Sequence, residues 1–138
     1  MDFFAENGLL VQSASFGAEH SVAVVLDQKS GKQLVFSWGN SSEGQCGREG
    51  KQIFSEPVEI EELASEEVRH VAAGSQHTLF ATAKEELWAC GCAEHGQTAL
   101  TSTLKGKFSK PKKIRSVKKD QKIISIVAGG NSSYAVIA

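Results

Sequence analysis

The chain has 138 residues, and its 15 Lys and Arg nearly balance 16 Asp and Glu, for a net charge of −1. That length suffices for one domain with a real core. Its 41% hydrophobic content excludes a disordered chain, and the balanced charge gives no bulk attraction to polyanions.

The three cysteines are an odd number and make no disulfide framework. They read as reduced thiols in the cytoplasm or nucleus. The start, MDFFAENGLL, lacks the basic region and long apolar run of a signal peptide. No stretch approaches the ~18 apolar residues of a membrane helix. Asn40-Ser41-Ser42 and Asn131-Ser132-Ser133 fit the glycosylation pattern, which without a secretory route is a chance match.

In chain order, residues 1–8 read as a loose lead-in. Leu9–Phe16 reads as a short apolar strand closed by Gly17. HSVAVVL (20–26) is β-branched and continuous, as a buried strand is. DQKSGK (27–32) turns the chain into the next strand, 33–38. Residues 39–53 are Gly- and Ser-rich, without period. Pro57 is expected at the head of a short strand, where a missing N–H costs least. EELASEE (61–67) is helical by propensity alone. Strands follow at 68–73, 77–83 and 86–90, then an irregular loop to 108, then strands at 111–115, 122–128 and 133–137.

The chain repeats itself. Phe36, Gly39, Gly44 and Gln45 recur 52 residues on as Trp88, Gly91, Gly96 and Gln97. Pro57 recurs as Pro111, and Ala72 and Gly74 as Ala128 and Gly130. Gly17 and His20 anticipate Gly74 and His77. Four features in one order mark a stacked or propeller architecture.

The stretch FSWGNSSEGQCG, then Pro57, then VAAGSQHT resembles the repeat of the regulator of chromosome condensation family. The resemblance covers about residues 9–138. In the second unit Cys90 takes the Trp place, GQTA replaces GQLG, and Ser133 takes the His place. The resemblance implies an all-β fold, a β-propeller of four-stranded antiparallel blades, within the four-to-eight-blade range. On that reading 61–67 becomes a linker. The expected partition is the end of a preceding repeat at 9–19, blades at 20–73 and 77–128, and the start of a next blade at 129–138. Such a partial propeller leaves strand edges open. Three arrangements fit it: part of a longer propeller, a ring completed by self-association, or an open stack whose exposed face binds.

His20 and His77 sit at the same corner of successive repeats, which points to buried hydrogen-bonding groups rather than catalysts or metal ligands. Gly39, Gly44 and Gly74 read as tight structural turns needing positive φ. No GKS or GKT follows to make a phosphate loop. Trp38 and Trp88 read as wedges between blades. Cys90-x-Cys92 with His95 supplies half of a zinc site at most. The sequence therefore asks for no cofactor and no metal, and signals no catalytic group.

Charge exceeds what the repeat needs. Residues 43–67 hold eight acids against two bases, and residues 105–122 hold nine bases against one acid. The candidate partner-binding residues are Lys112, Lys113, Lys118 and Lys119 on the basic side. Glu61, Glu62, Glu66 and Glu67 are their acidic counterparts. The two stretches either attract each other weakly or form a bipolar docking face. The function expected is a non-enzymatic protein-interaction module. The resemblance adds two alternatives: nucleotide exchange on a small GTPase, and chromatin or nucleic-acid contact through 105–122.

Overall fold

The computed structural model describes residues 3–50, 52–93 and 107–138. A single helical turn, α1 (Phe3–Glu6), precedes ten strands. Strands β1 (Leu9–Phe16), β2 (His20–Asp27), β3 (Gln33–Asn40) and β4 (Ile53–Glu59) form one antiparallel sheet in sequence order. Strands β5 (Val68–Ala73), β6 (His77–Thr82), β7 (Glu86–Cys92) and β8 (Lys107–Ser116) form a second in the same order. Strands β9 (Ile123–Gly129) and β10 (Ser132–Ile137) form a hairpin. The first strands β1, β5 and β9 lie side by side, and β4 and β8 are the far strands of their sheets. This is a sector of a propeller, with first strands inward and fourth strands outward.

Two apolar layers hold the sector together. Val22, Val24 and Val35 of the first sheet meet Phe80 and Cys90 of the second, with Ile60, Leu63 and Val68 between and Trp88 beside them. Leu79, Ala81 and Ala89 on the opposite face of the second sheet meet Ile123 and Ile126 of the hairpin. Each fully buried Val, Leu or Phe of this kind contributes about 1.5–3 kcal/mol. Residues 61–67 begin with one 3-10 turn (Glu61–Leu63), whose Leu63 drops into the first layer. The linker expectation there agrees with the structure.

The partition of the repeat does not. Leu9–Phe16 is not a leftover from a preceding repeat, because it pairs along its length with β2. Val68–Ala73 does not close the first blade, because it opens the second sheet against β6. The blades run 9–59 and 68–116 instead of 20–73 and 77–128, and β9 joins β10 rather than the second blade. A repeated sequence has a period but no intrinsic starting point; only hydrogen bonding sets the phase.

Four smaller expectations also change. The lead-in contains α1, whose Phe3 and Phe4 stack edge-on against Phe36. Trp38 does not wedge between blades; it lies on the outer face of the first sheet beneath Phe4, while Trp88 does stand between the sheets. Pro57 sits inside β4, tolerated because β4 is an edge strand. The corner before β10 has the same length as its counterpart: Ala128 faces Ser133 as Ala73 faces Thr78, and Gly129 meets Ser132 as Gly74 meets His77. Ser133 therefore stands in the place of Thr78, and Ser132, not Ser133, occupies the His place.

Candidate functional site

The repeated corner residues make clasps between sheets. His20 is 3% exposed, and its Nε2 lies 2.7 Å from Thr78 Oγ1 in the second sheet. Thr78 spends its one hydroxyl proton on the Gln45 carbonyl at 2.6 Å. His20 Nε2 must then donate to Thr78, which fixes its tautomer. Burial, and after it the neighbouring His77, lowers the His20 pKa from 6.5 to about 4. The ring is therefore neutral at pH 7. His77, fully buried, donates from Nε2 to the Ser132 carbonyl of β10 at 3.2 Å, and burial lowers its pKa too. The buried-hydrogen-bond reading of both histidines agrees with this geometry. Thr78 escaped sequence reasoning, although a hydroxyl follows the corner His in both HS and HT, and Gln45 was read only as a mark of the repeat.

The glycines fit around these rings. Gly39 and Gly44 have φ of +103° and +82°, and a Cβ on either would press on backbone. Gly74 has no positive φ, so its expected turn strain is absent. Its constraint is space: a Cβ there would lie 2.2 Å from His77 Cε1.

The cysteines are buried and reduced. Cys90 is packed in the first apolar layer, where burial above all, and then Cys46, pushes its thiol pKa well up. A thiol held protonated is a poor nucleophile and a poor metal ligand. His95 and the Gly96-Gln97 pair lie outside the described residues.

The charged candidates divide. Lys112 and Lys113 are not in a connection but within β8, the outer strand, where adjacent positions face opposite ways. Lys112 sits over the Phe108 ring at 4.6 Å, and Lys113 pairs with Glu86 at 3.1 Å. Lysines along such an edge also deter strand pairing with other chains. Lys118 and Lys119 lie in the β8–β9 link and make no ion pair among the described residues. Glu61 and Glu62 lie on the 3-10 turn, and Glu66 and Glu67 in the link to β5. Glu62 pairs with Lys110 at 3.5 Å and Glu66 with Lys84 at 3.1 Å. The acidic and basic stretches thus do meet, but through Lys110 and not through the four candidate lysines.

A cleft of about 250 Å³ opens where the hairpin covers only part of the second sheet. Leu79, Leu87 and Ile114 form its floor, Ala135 and Ile137 its wall, and Arg115 its charged rim. In the first sheet the corresponding face is covered by the second, and the cleft lies beside β10 where the two complete sheets carry their third strand.

Sheet order, inward first strands and sheet-to-sheet histidine clasps define a propeller-blade protein. The sequence profile described as the regulator of chromosome condensation (RCC1) repeat matches residues 33–81 and 84–136, and a second profile of that description matches 68–97. The chain belongs to this repeat family. A human RCC1-like G exchanging factor-like protein is 40% identical over 94 residues, covering 65% of this chain and 19% of the relative. The human probable E3 ubiquitin-protein ligase HERC6 is 33% identical over 127 residues, covering 92% of this chain and 12% of the relative. The crystal structure of human WBSCR16 superposes with a TM-score of 0.78 at 30% identity, covering 94% of this chain and 32% of that one. The chain spans less than a fifth of these two curated relatives and about a third of the solved chain.

Proposed function

We propose that the chain is a non-enzymatic protein-recognition module that takes up an extended acidic and apolar segment along β10. The observation that carries this reading is the apolar cleft beside β10, which pairs with β9 on one edge and with no second strand among the described residues, rimmed by Arg115. Lys118 and Lys119 lie in the next link without carboxylate partners among the described residues. In both complete sheets a third strand pairs with the strand equivalent to β10. A partner strand added there would gain main-chain hydrogen bonds and lay its apolar side chains over Leu87 and Ile114, the usual economy of strand addition. The module works in a reducing compartment, cytoplasm or nucleus, where the buried thiols persist.

The test is fluorescence anisotropy with a synthetic peptide of alternating Leu and Glu, against poly-glutamate as control. The Leu-Glu peptide should bind more tightly, and binding should weaken between about 50 and 300 mM salt as charges are screened. Equal binding of both peptides, or none, would defeat the reading.

A second reading, nucleotide exchange on a small GTPase, is favoured by the name of the human relative at 40% identity. It predicts faster release of labelled GDP from a GTPase in the presence of the chain. Recognition alone predicts no change in that rate.

A further inference from the structure

The end faces of the stack are two halves of a contact that the molecule already makes twice. The first sheet offers Val22, Val24 and Val35 to a receiving face on the second sheet that includes Phe80, Cys90 and Trp88. The second sheet in turn offers Leu79 and Ala81 to the hairpin. Among the described residues, no element covers the offering side of the hairpin. Tyr134 pairs with Val127 and Val136 with Ser125, which places all three apolar side chains on one face, opposite Ile126 and Ala135. Val127, Tyr134 and Val136 are 54%, 64% and 52% exposed.

At the other end, the receiving face of the first sheet is Ala23, Val25 and Phe36, with Trp38 alongside. By the internal repeat this matches the Phe80–Trp88–Cys90 face of the second sheet. No sheet covers it. Phe3 and Phe4 of α1 do, with Phe4 5.8 Å from both the Phe36 and Trp38 rings. A four-residue helix is far too short to persist alone, so these aromatic contacts hold it in place.

We propose that the open hairpin face docks onto the α1-covered face of a second copy of this chain, and that α1 is a removable cap over that site. The occupant follows from continuity: the same offering and receiving faces already join sheet to sheet within one chain. The contact is heterologous, one end of a molecule against the other end of its neighbour. It is separable from the peptide cleft: Tyr134 borders both, but Val127 and Val136 do not line the cleft.

Sedimentation equilibrium tests the proposal on three chains, each checked for β structure by circular dichroism. They are the wild type, Phe3→Asp/Phe4→Asp, and that variant carrying Val127→Glu/Val136→Glu as well. Releasing the cap should tighten self-association by about tenfold or more, a change well within reach of two displaced aromatic side chains. The added glutamates should return the chain to monomer. A cap-release variant no more associated than the wild type would overturn the proposal. So would association that survives the two glutamates, which would assign the face to another occupant or to exchange of α1 between copies. Hydrogen exchange on the wild type decides the matter even if a variant fails to fold. With rising concentration, residues 132–137 should gain protection while residues 3–6 lose it. Exchange that is independent of concentration in both segments would overturn the proposal.

Discussion

The two histidine clasps do the same job with different materials. His20 reaches a side-chain hydroxyl, Thr78, which itself is tied to the Gln45 carbonyl, so one contact joins two sheets and the β3–β4 loop. His77 reaches only the Ser132 backbone carbonyl, at a longer 3.2 Å. The corners themselves are alike: Ala128 faces Ser133 across the second as Ala73 faces Thr78 across the first. What differs is the atom each ring reaches, a side-chain hydroxyl in one and a backbone carbonyl in the other. A recurring motif can therefore keep its donor and change its acceptor with no change in the length of the corner.

The largest expected break in this comparison is Gly74→Val. Its Cβ would lie within 2.2 Å of His77 Cε1, and neither group can move without opening the second clasp. Overpacking of this kind should cost roughly 3–4 kcal/mol, toward the upper end of single substitutions. Urea denaturation at pH 7 measures it. A loss under about 1 kcal/mol would show that the His77 ring swings away freely.

Acid comes next. The His20 pKa is 6.5 unfolded and about 4 folded. Above 6.5 both states are neutral and the stability is complete. Between 6.5 and about 4 the unfolded chain takes up the proton and the folded chain refuses it, so stability falls as pH drops. The loss from His20 alone should total roughly 3 kcal/mol at 1.36 kcal/mol per unit, and His77 adds to it in the same direction. Denaturation midpoints across that window test this, with His20→Gln as control. Equal slopes for variant and parent would remove His20 as the cause.

Thr78→Val sharpens the comparison further. It strands the His20 Nε2–H and removes a donor from the Gln45 carbonyl, at about 2 kcal/mol. No side-chain substitution removes the acceptor of the second clasp, because that acceptor is backbone. A nitrogen-15 NMR spectrum should show His20 protonated on Nε2, and the other tautomer would refute the relay.

The smallest effect on stability belongs to the charged edge. Changing Lys112, Lys113, Lys118 and Lys119 to Glu removes one ion pair, Lys113–Glu86, worth about 0.2–1 kcal/mol. It should leave the fold standing while abolishing uptake of the acidic peptide. Reciprocal Lys substitutions at Glu61, Glu62, Glu66 and Glu67 should not rescue stability, because none of those acids pairs with the four lysines. Rescue would mean that the two stretches meet in solution by a route other than Lys110.

The comparison also shows what a sequence can hold. Strand content, turn glycines and corner histidines were legible because each is a local requirement that recurs. Gly74 was singled out for its φ, whereas the structure constrains it by space: spacing shows that a glycine sits near a histidine, not whether φ or ring contact demands it. Trp38 and Trp88 look alike in sequence, yet only Trp88 stands between sheets, because only its sheet has a neighbour on that side. The cap was illegible for a plainer reason. MDFFAEN is too short for a helical period, and its role depends on a face assembled from residues 20–38. The cleft was invisible because it depends on how far the hairpin reaches over the second sheet, which no local pattern states.

The phase between repeat and sheet has a consequence for how such a chain can grow. The matched unit 33–81 supplies the last two strands of one sheet and the first two of the next. Duplicating it in a gene would never produce a free-standing blade. It would finish one half-built sheet and begin another, so the new segment would be stitched to both neighbours by covalent chain as well as by a histidine clasp. Insertions of whole units preserve the same unfinished pair of strands at the growing end, whatever their number. Loss of a unit leaves the cut ends matching one another. The repeat is heritable as a join, and the blade is only what two joins make between them.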